Sequence, residues 1–126
     1  MVENFAPITD PLTQSELDLV EPIAAGLARR TEANPIKGAD ICAAINAKYE
    51  LKFKFEESRL RKIINYIRCK GILPVIATSR GYYTAQTVEE IRSQIASLRD
   101  RAAGINAAAD GLLVFVKEPN LFTNQN

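Results

Sequence analysis

The 126-residue sequence predicts a mostly α-helical chain with one small β-hairpin and a long C-terminal helix. Three observations predict it. Apolar residues recur at three- and four-residue spacing in four separate segments. Residues 72–85 change instead to β-rich residues around Thr78-Ser79-Arg80-Gly81, the composition of a hairpin turn. Thr87-Val88-Glu89-Glu90 then opens the last helical run as a capping box, in which the Thr87 hydroxyl serves the Glu90 amide and Glu90 reaches back.

Residues 1–11 read as a polar lead-in ending at Pro11. Leu12 to Arg30 form the first helix: Leu17, Val20, Ala24 and Leu27 mark its apolar side, with Leu19 and Ile23 beside them. Pro22 lies inside this run and predicts a kink or break near Glu21. Asn34-Pro35 marks a loop. Gly38 to Tyr49 form a short second helix that buries Ile41, Ile45 and Tyr49. Leu51 to Phe55 alternate, which fits a short strand or a turn with two apolar anchors. Glu56 to Lys70 form the third helix. Its acidic start at Glu56 and Glu57, its basic end at Arg68 and Lys70, and the Gly71 stop all match the helix dipole and a glycine cap. Ile72 to Ala77 and Tyr82 to Ala85 make the hairpin, with Arg80 at the tip and Pro74 early in the first strand, where an edge tolerates it. The long helix runs from Thr87 to about Gly111. The domain boundaries expected are therefore 12–86 for the folded core, 87–111 for the long helix and 112–126 for a tail. Three helices followed by a hairpin is the order of a winged helix-turn-helix, whose third helix enters the major groove and whose hairpin is the wing.

Composition bounds the chemistry. Apolar residues make up 47%, enough for a packed core. The chain has no histidine, which removes the commonest general base, the Ser-His triad and His-ligated zinc. Cys42 and Cys69 are too few for a disulfide framework or a cysteine-only zinc site, and two lone cysteines fit a reducing cytoplasm. No Ser, Cys or Lys has a base beside it, no carboxylate cluster suggests a metal, and no Gly-rich loop follows a strand. An enzyme is not expected, nor a cofactor. The first ten residues lack Lys and Arg, unlike a signal peptide, and the longest uncharged stretch is Gly71 to Ser79, far short of a membrane span. The expectation is a protein of the cytoplasm.

Charge is distributed unevenly. The whole chain carries 16 basic and 15 acidic residues, net +1. Residues 52–80 nevertheless hold Lys52, Lys54, Arg59, Arg61, Lys62, Arg68, Lys70 and Arg80 against only Glu56 and Glu57. One segment therefore owns the positive field, and such a patch attracts phosphates whatever the total charge. On a helical wheel of the third helix, Leu60, Ile63, Ile64 and Ile67 form a core stripe. Ser58, Lys62, Asn65 and Cys69 fall opposite, flanked by Arg61 and Tyr66, with Arg59 and Arg68 further round. Asn suits adenine and Lys or Arg suits guanine, while Ser58 and the helix N-terminus suit a phosphate. Lys52, Lys54 and Arg80 are placed for contacts to the backbone. A pure protein-interaction module without DNA readout is the competing reading. Cys69 among Arg and Lys also has the surroundings of a redox-responsive thiol, or is simply a small side chain.

Two runs carry a family resemblance: Leu60-Arg61-Lys62-Ile63-Ile64-Asn65-Tyr66-Ile67-Arg68-Cys69-Lys70-Gly71 and Ser79-Arg80-Gly81-Tyr82-Tyr83-Thr84-Ala85. Together with Glu89-Glu90-Ile91 and Ser97-Leu98-Arg99-Asp100-Arg101, they resemble the winged-helix proteins encoded by phages and prophages. The Arg-Gly-Tyr wing also resembles the DNA-binding domain of biotin repressors. The resemblance spans roughly residues 37–105. It implies binding to double-stranded DNA in transcription regulation or replication, in the cytoplasm or nucleoid of a bacterial host.

Ile91, Ile95, Leu98, Ala102, Ile105, Ala109 and Leu112 repeat with spacing 4, 3, 4, 3, 4, 3, which is a coiled-coil seam. A homodimer through this helix is expected, with packing against residues 12–30 of the same chain as the alternative. The flanking Arg92, Gln94, Arg99, Arg101 and Asn106 specify no charge pairing, and Gly104 weakens the helix. Leu112 to Val116 are five consecutive apolar residues that either continue the helix or add a strand to a partner. The ending Glu118-Pro119-Asn120-Leu121-Phe122 resembles the Leu-Phe peptides by which bacterial replication proteins bind the sliding clamp, with Glu118 in place of the usual Gln.

Overall fold

The computed structural model describes residues 10–117. Its elements are α1 (Gln14–Leu27), α2 (Gly38–Lys48), α3 (Glu57–Cys69), β1 (Val75–Thr78), β2 (Gly81–Thr84) and α4 (Val88–Lys117). The chain divides into a first unit ending at Ile91 and a second beginning at Arg92.

A reciprocal capping box starts α1. The Glu16 amide donates to Thr13 Oγ1 at 3.2 Å, and the Thr13 amide donates to Glu16 Oε1 at 2.8 Å. The helix then runs through Pro22 without the break expected near Glu21. Proline costs one backbone hydrogen bond there, but Leu19, Ile23 and Leu27 on both sides of it are buried and hold one continuous face against the core. That face is rotated from the one the spacing suggested: Leu17 is exposed, and Glu16 is buried in line with the leucines.

Helix α2 buries Ile41, Cys42 and Ile45, while Tyr49 is half-buried just past its end. Residues 51–55 form no strand; they are the turn with apolar anchors, and Phe55 is completely enclosed. The side chain of Asn46 on α2 fixes this turn. Its Nδ2 donates to the Phe55 carbonyl at 2.9 Å, and its Oδ1 accepts from the Phe55 amide at 2.8 Å. Helix α3 begins two residues later and buries Leu60, Ile63, Ile64 and Ile67, the stripe its spacing predicts. It ends in a Schellman turn: Gly71, at φ 64°, donates to the Arg68 carbonyl, and Ile72 donates to the Ile67 carbonyl.

The hairpin is antiparallel, from Val75 opposite Thr84 to Thr78 opposite Gly81, so Ser79 and Arg80 alone make the turn. Its first strand starts at Val75, after Pro74, rather than at Ile72. The connection between α1 and α2 supplies a short third edge that the sequence did not signal. Ile36 and Tyr82 exchange both backbone hydrogen bonds, at 2.9 and 2.7 Å. Thr84 adds two more, from its amide to the Arg30 carbonyl and from its hydroxyl to the Leu27 carbonyl. Gly81 is required at this crossing. Its φ is 130°, and a Cβ there would lie 2.5 Å from the Ile36 carbonyl oxygen. Helix, bridged connection, two helices and hairpin make the winged helix-turn-helix arrangement expected from the element order.

The expected capping box at Thr87 opens α4: Glu90 Oε1 accepts from the Gln86 and Thr87 amides, and the Glu90 amide donates to Thr87 Oγ1 at 3.1 Å. The helix continues past Gly111 to Lys117, so of the two alternatives Leu112 to Val116 take the first and continue the helix, and the boundary expected at Gly111 moves to Lys117. Its 30 residues correspond to about 45 Å at 1.5 Å per residue. Every residue from Ile95 to Lys117 is exposed. No described helix is long and apolar enough to cross a membrane. The lead-in before Asp10 and the Leu121-Phe122 segment lie outside the described residues.

Candidate nucleic-acid interface

The polar residues of α3 separate into two sets, and α1 does the sorting. Lys62 does not face outward as its wheel position suggested. It is buried at 8% exposure, with Nζ 2.9 Å from Glu16 Oε1. Arg59 joins the same carboxylate, 3.0 Å from Oε2, and its guanidinium lies 3.7 Å from the centre of the Phe53 ring. A wheel treats the helix as an isolated cylinder; here α1 covers the flank on which Arg59 and Lys62 lie and offers a buried acid. Burial alone would push the Glu16 carboxyl up. The Thr13 amide, the Lys62 ammonium and the Arg59 guanidinium outweigh that and hold it below its ordinary value. Two of the eight basic residues of the 52–80 segment therefore neutralise Glu16.

The other set lies on the opposite flank. Ser58, Arg61, Asn65 and Arg68 follow one another at spacing 3, 4, 3, with Cys69 beside them at the helix end. Arg61 and Cys69 are exposed, while Ser58, Asn65 and Arg68 are half-buried. This flank turns toward the hairpin. Arg68 Nε donates to the Val75 carbonyl of β1 at 3.0 Å. Tyr82 of β2 lies within the field of both Arg61 and Arg68: burial raises its phenol, and the two cations oppose that rise. Tyr66 is half-buried, with the Lys70 ammonium 5.8 Å from its ring centre.

Lys52 and Lys54 are exposed on either side of Phe53, in the turn that precedes α3. Arg80 is exposed at the hairpin tip, where its amide donates to Thr78 Oγ1 at 3.2 Å and ties the turn. Glu57 works against this positive field. Its carboxylate lies against the start of α2, since a Cβ on Gly38 would meet Glu57 Oε1 at 2.6 Å. A helix N-terminus favours an acid there. Cys42 on the buried side of α2 is pushed up to about 11, by burial and then by Glu57 and Glu56, so it stays a thiol.

Of the seam residues expected to pair, Ile91 is half-buried, whereas Ile95, Leu98, Ala102, Ile105, Ala109 and Leu112 are all exposed. Two participants in the α3 surroundings escaped the sequence reading. Glu16 carried a signal, because Thr13-Gln14-Ser15-Glu16 has the capping-box pattern. Glu57 was read only as a dipole-matching residue of its own helix. Comparison with protein-family models, with curated proteins and with solved structures finds no match in any of the three.

Proposed function

We propose that this chain binds double-stranded DNA sequence-specifically, with α3 in the major groove and the β1–β2 hairpin on the backbone or in the minor groove. The observation that carries the reading is the polar stripe Ser58, Arg61, Asn65 and Arg68. It lies on the flank of α3 not occupied by α1, and its basic members are not consumed by Glu16. Asn65 and Arg61 have the chemistry to read base edges, adenine and guanine respectively. Ser58, Lys52, Lys54 and Arg80 have the chemistry to hold phosphates and set the register. Lys62 and Arg59 leave the DNA-contacting set and hold α3 to α1 instead. Tyr66 and Arg68 border the interface, and Cys69 is a small side chain at its end.

Mobility-shift titrations with duplex DNA at several salt concentrations test this. The affinity should fall with salt by a slope of about −0.9 per phosphate neutralised, and Lys54→Gln should make the slope shallower by about that amount. No complex, or one indifferent to salt, would instead favour a winged helix that binds a protein.

A further inference from the structure

The second unit presents an apolar face that nothing among the described residues covers. Ile95, Leu98, Ala102, Ile105, Ala109 and Leu112 keep heptad spacing, and Val116 extends it by one more position. All seven are exposed, Ile105 and Leu112 at 66% and Val116 at 74%. Ile91 is half-buried and Gln94 buried, so the uncovered seam starts at Ile95. Leu113 broadens it at the far end. An apolar patch of this extent on a solitary helix is the kind that association buries.

We infer that residues 95–116 of α4 pair in parallel with the same residues of a second copy of this chain. A 3.5-residue apolar period meshes with a helix of the same period, and the residues flanking the seam select the direction. In a parallel pair, Arg101 faces Asn106 of the partner subunit, whose amide carbonyl accepts from a guanidinium. Ala108 faces Leu113 of the partner subunit, so apolar meets apolar. An antiparallel pair in seam register sets Arg101 against Ala108 of the partner subunit and Leu113 against Arg92 of the partner subunit. Parallel pairing thus sorts polar with polar and apolar with apolar, without any like-charge contact at these positions. It also joins both first units to the same end of the pair, as two half-sites on one duplex require. The pairing itself does not depend on DNA binding.

Sedimentation equilibrium of the full chain should give twice the chain mass at micromolar concentration, and Ile105→Glu should weaken association at least about 100-fold. Direction is read by crosslinking in a Cys69→Ser background, which removes the exposed thiol. Leu112→Cys should form a crosslinked dimer on mild oxidation, because a parallel seam stacks position 112 on itself. In the antiparallel register position 112 meets position 95, and a crosslink would form only on mixing Leu112→Cys with Ile95→Cys. A monomer at high micromolar concentration, an assembly larger than two, or crosslinking confined to the mixed pair would overturn the inference.

Discussion

Glu16 is the residue on which most local structure converges. One oxygen accepts from the Thr13 amide and the Lys62 ammonium, the other from Arg59, and the carboxylate is 1% exposed. Removing one partner of a buried ion pair leaves an uncompensated charge, whereas surface pairs contribute little. Lys62→Ala should therefore cost roughly 3 kcal/mol in urea unfolding, while leaving base preference on DNA unchanged. The same carboxylate makes stability depend on pH. Its folded pKa lies below the ordinary value of 4.5, so its stabilisation is complete above that value and is lost as pH falls through the folded one. Thermal unfolding of wild type should lose stability across that acidic window, and Glu16→Gln should flatten the loss. A Glu16→Gln curve parallel to wild type would show that other carboxylates govern acid unfolding.

At the scale of elements, what was legible in the sequence was local. The stripe Leu60, Ile63, Ile64 and Ile67, the Gly71 stop and the Thr87–Glu90 box each involve neighbours within one or two turns, and each formed as its spacing dictates. What was not legible depends on partners distant in sequence. Lys62 is buried because Glu16 arrives from another helix, 46 positions away. Helix α1 survives Pro22 because its apolar face is held on both sides of the proline. The bridge between Ile36 and Tyr82 leaves no periodicity, being one residue long. Helix α4 runs past Gly111 because none of residues 112–117 breaks a helix. The bridge makes a prediction for the hairpin as an element. Gly81→Ala forces a Cβ onto the Ile36 carbonyl in a backbone region that alanine avoids. It should destabilise the first unit by at least about 2 kcal/mol in chemical denaturation. A loss under half of that would mean that the hairpin shifts freely relative to the α1–α2 connection.

For the molecule as a whole, the two units differ in composition. The first carries Arg61, Arg68 and Arg80 around one flank of α3 and the hairpin tip, and the second exposes an apolar seam. Ten positions were expected from the sequence to meet DNA; the structure brings Ser58, Arg61, Asn65 and Arg68 to one flank, sets Lys52, Lys54 and Arg80 in exposed turns, leaves Tyr66 half-buried beside Lys70, and takes Lys62 and Arg59 into the core contact with α1. Under the proposed DNA reading, sequence preference would rest on very few side chains, with Asn65 at the centre of the stripe. The central claim is tested most directly by a binding profile over all single-base variants of a site selected from random duplexes, for wild type and for Asn65→Ala. The account predicts a loss of about 1–3 kcal/mol on the selected site and relaxed preference at a single base position. Parallel profiles that differ only by a uniform offset would contradict it.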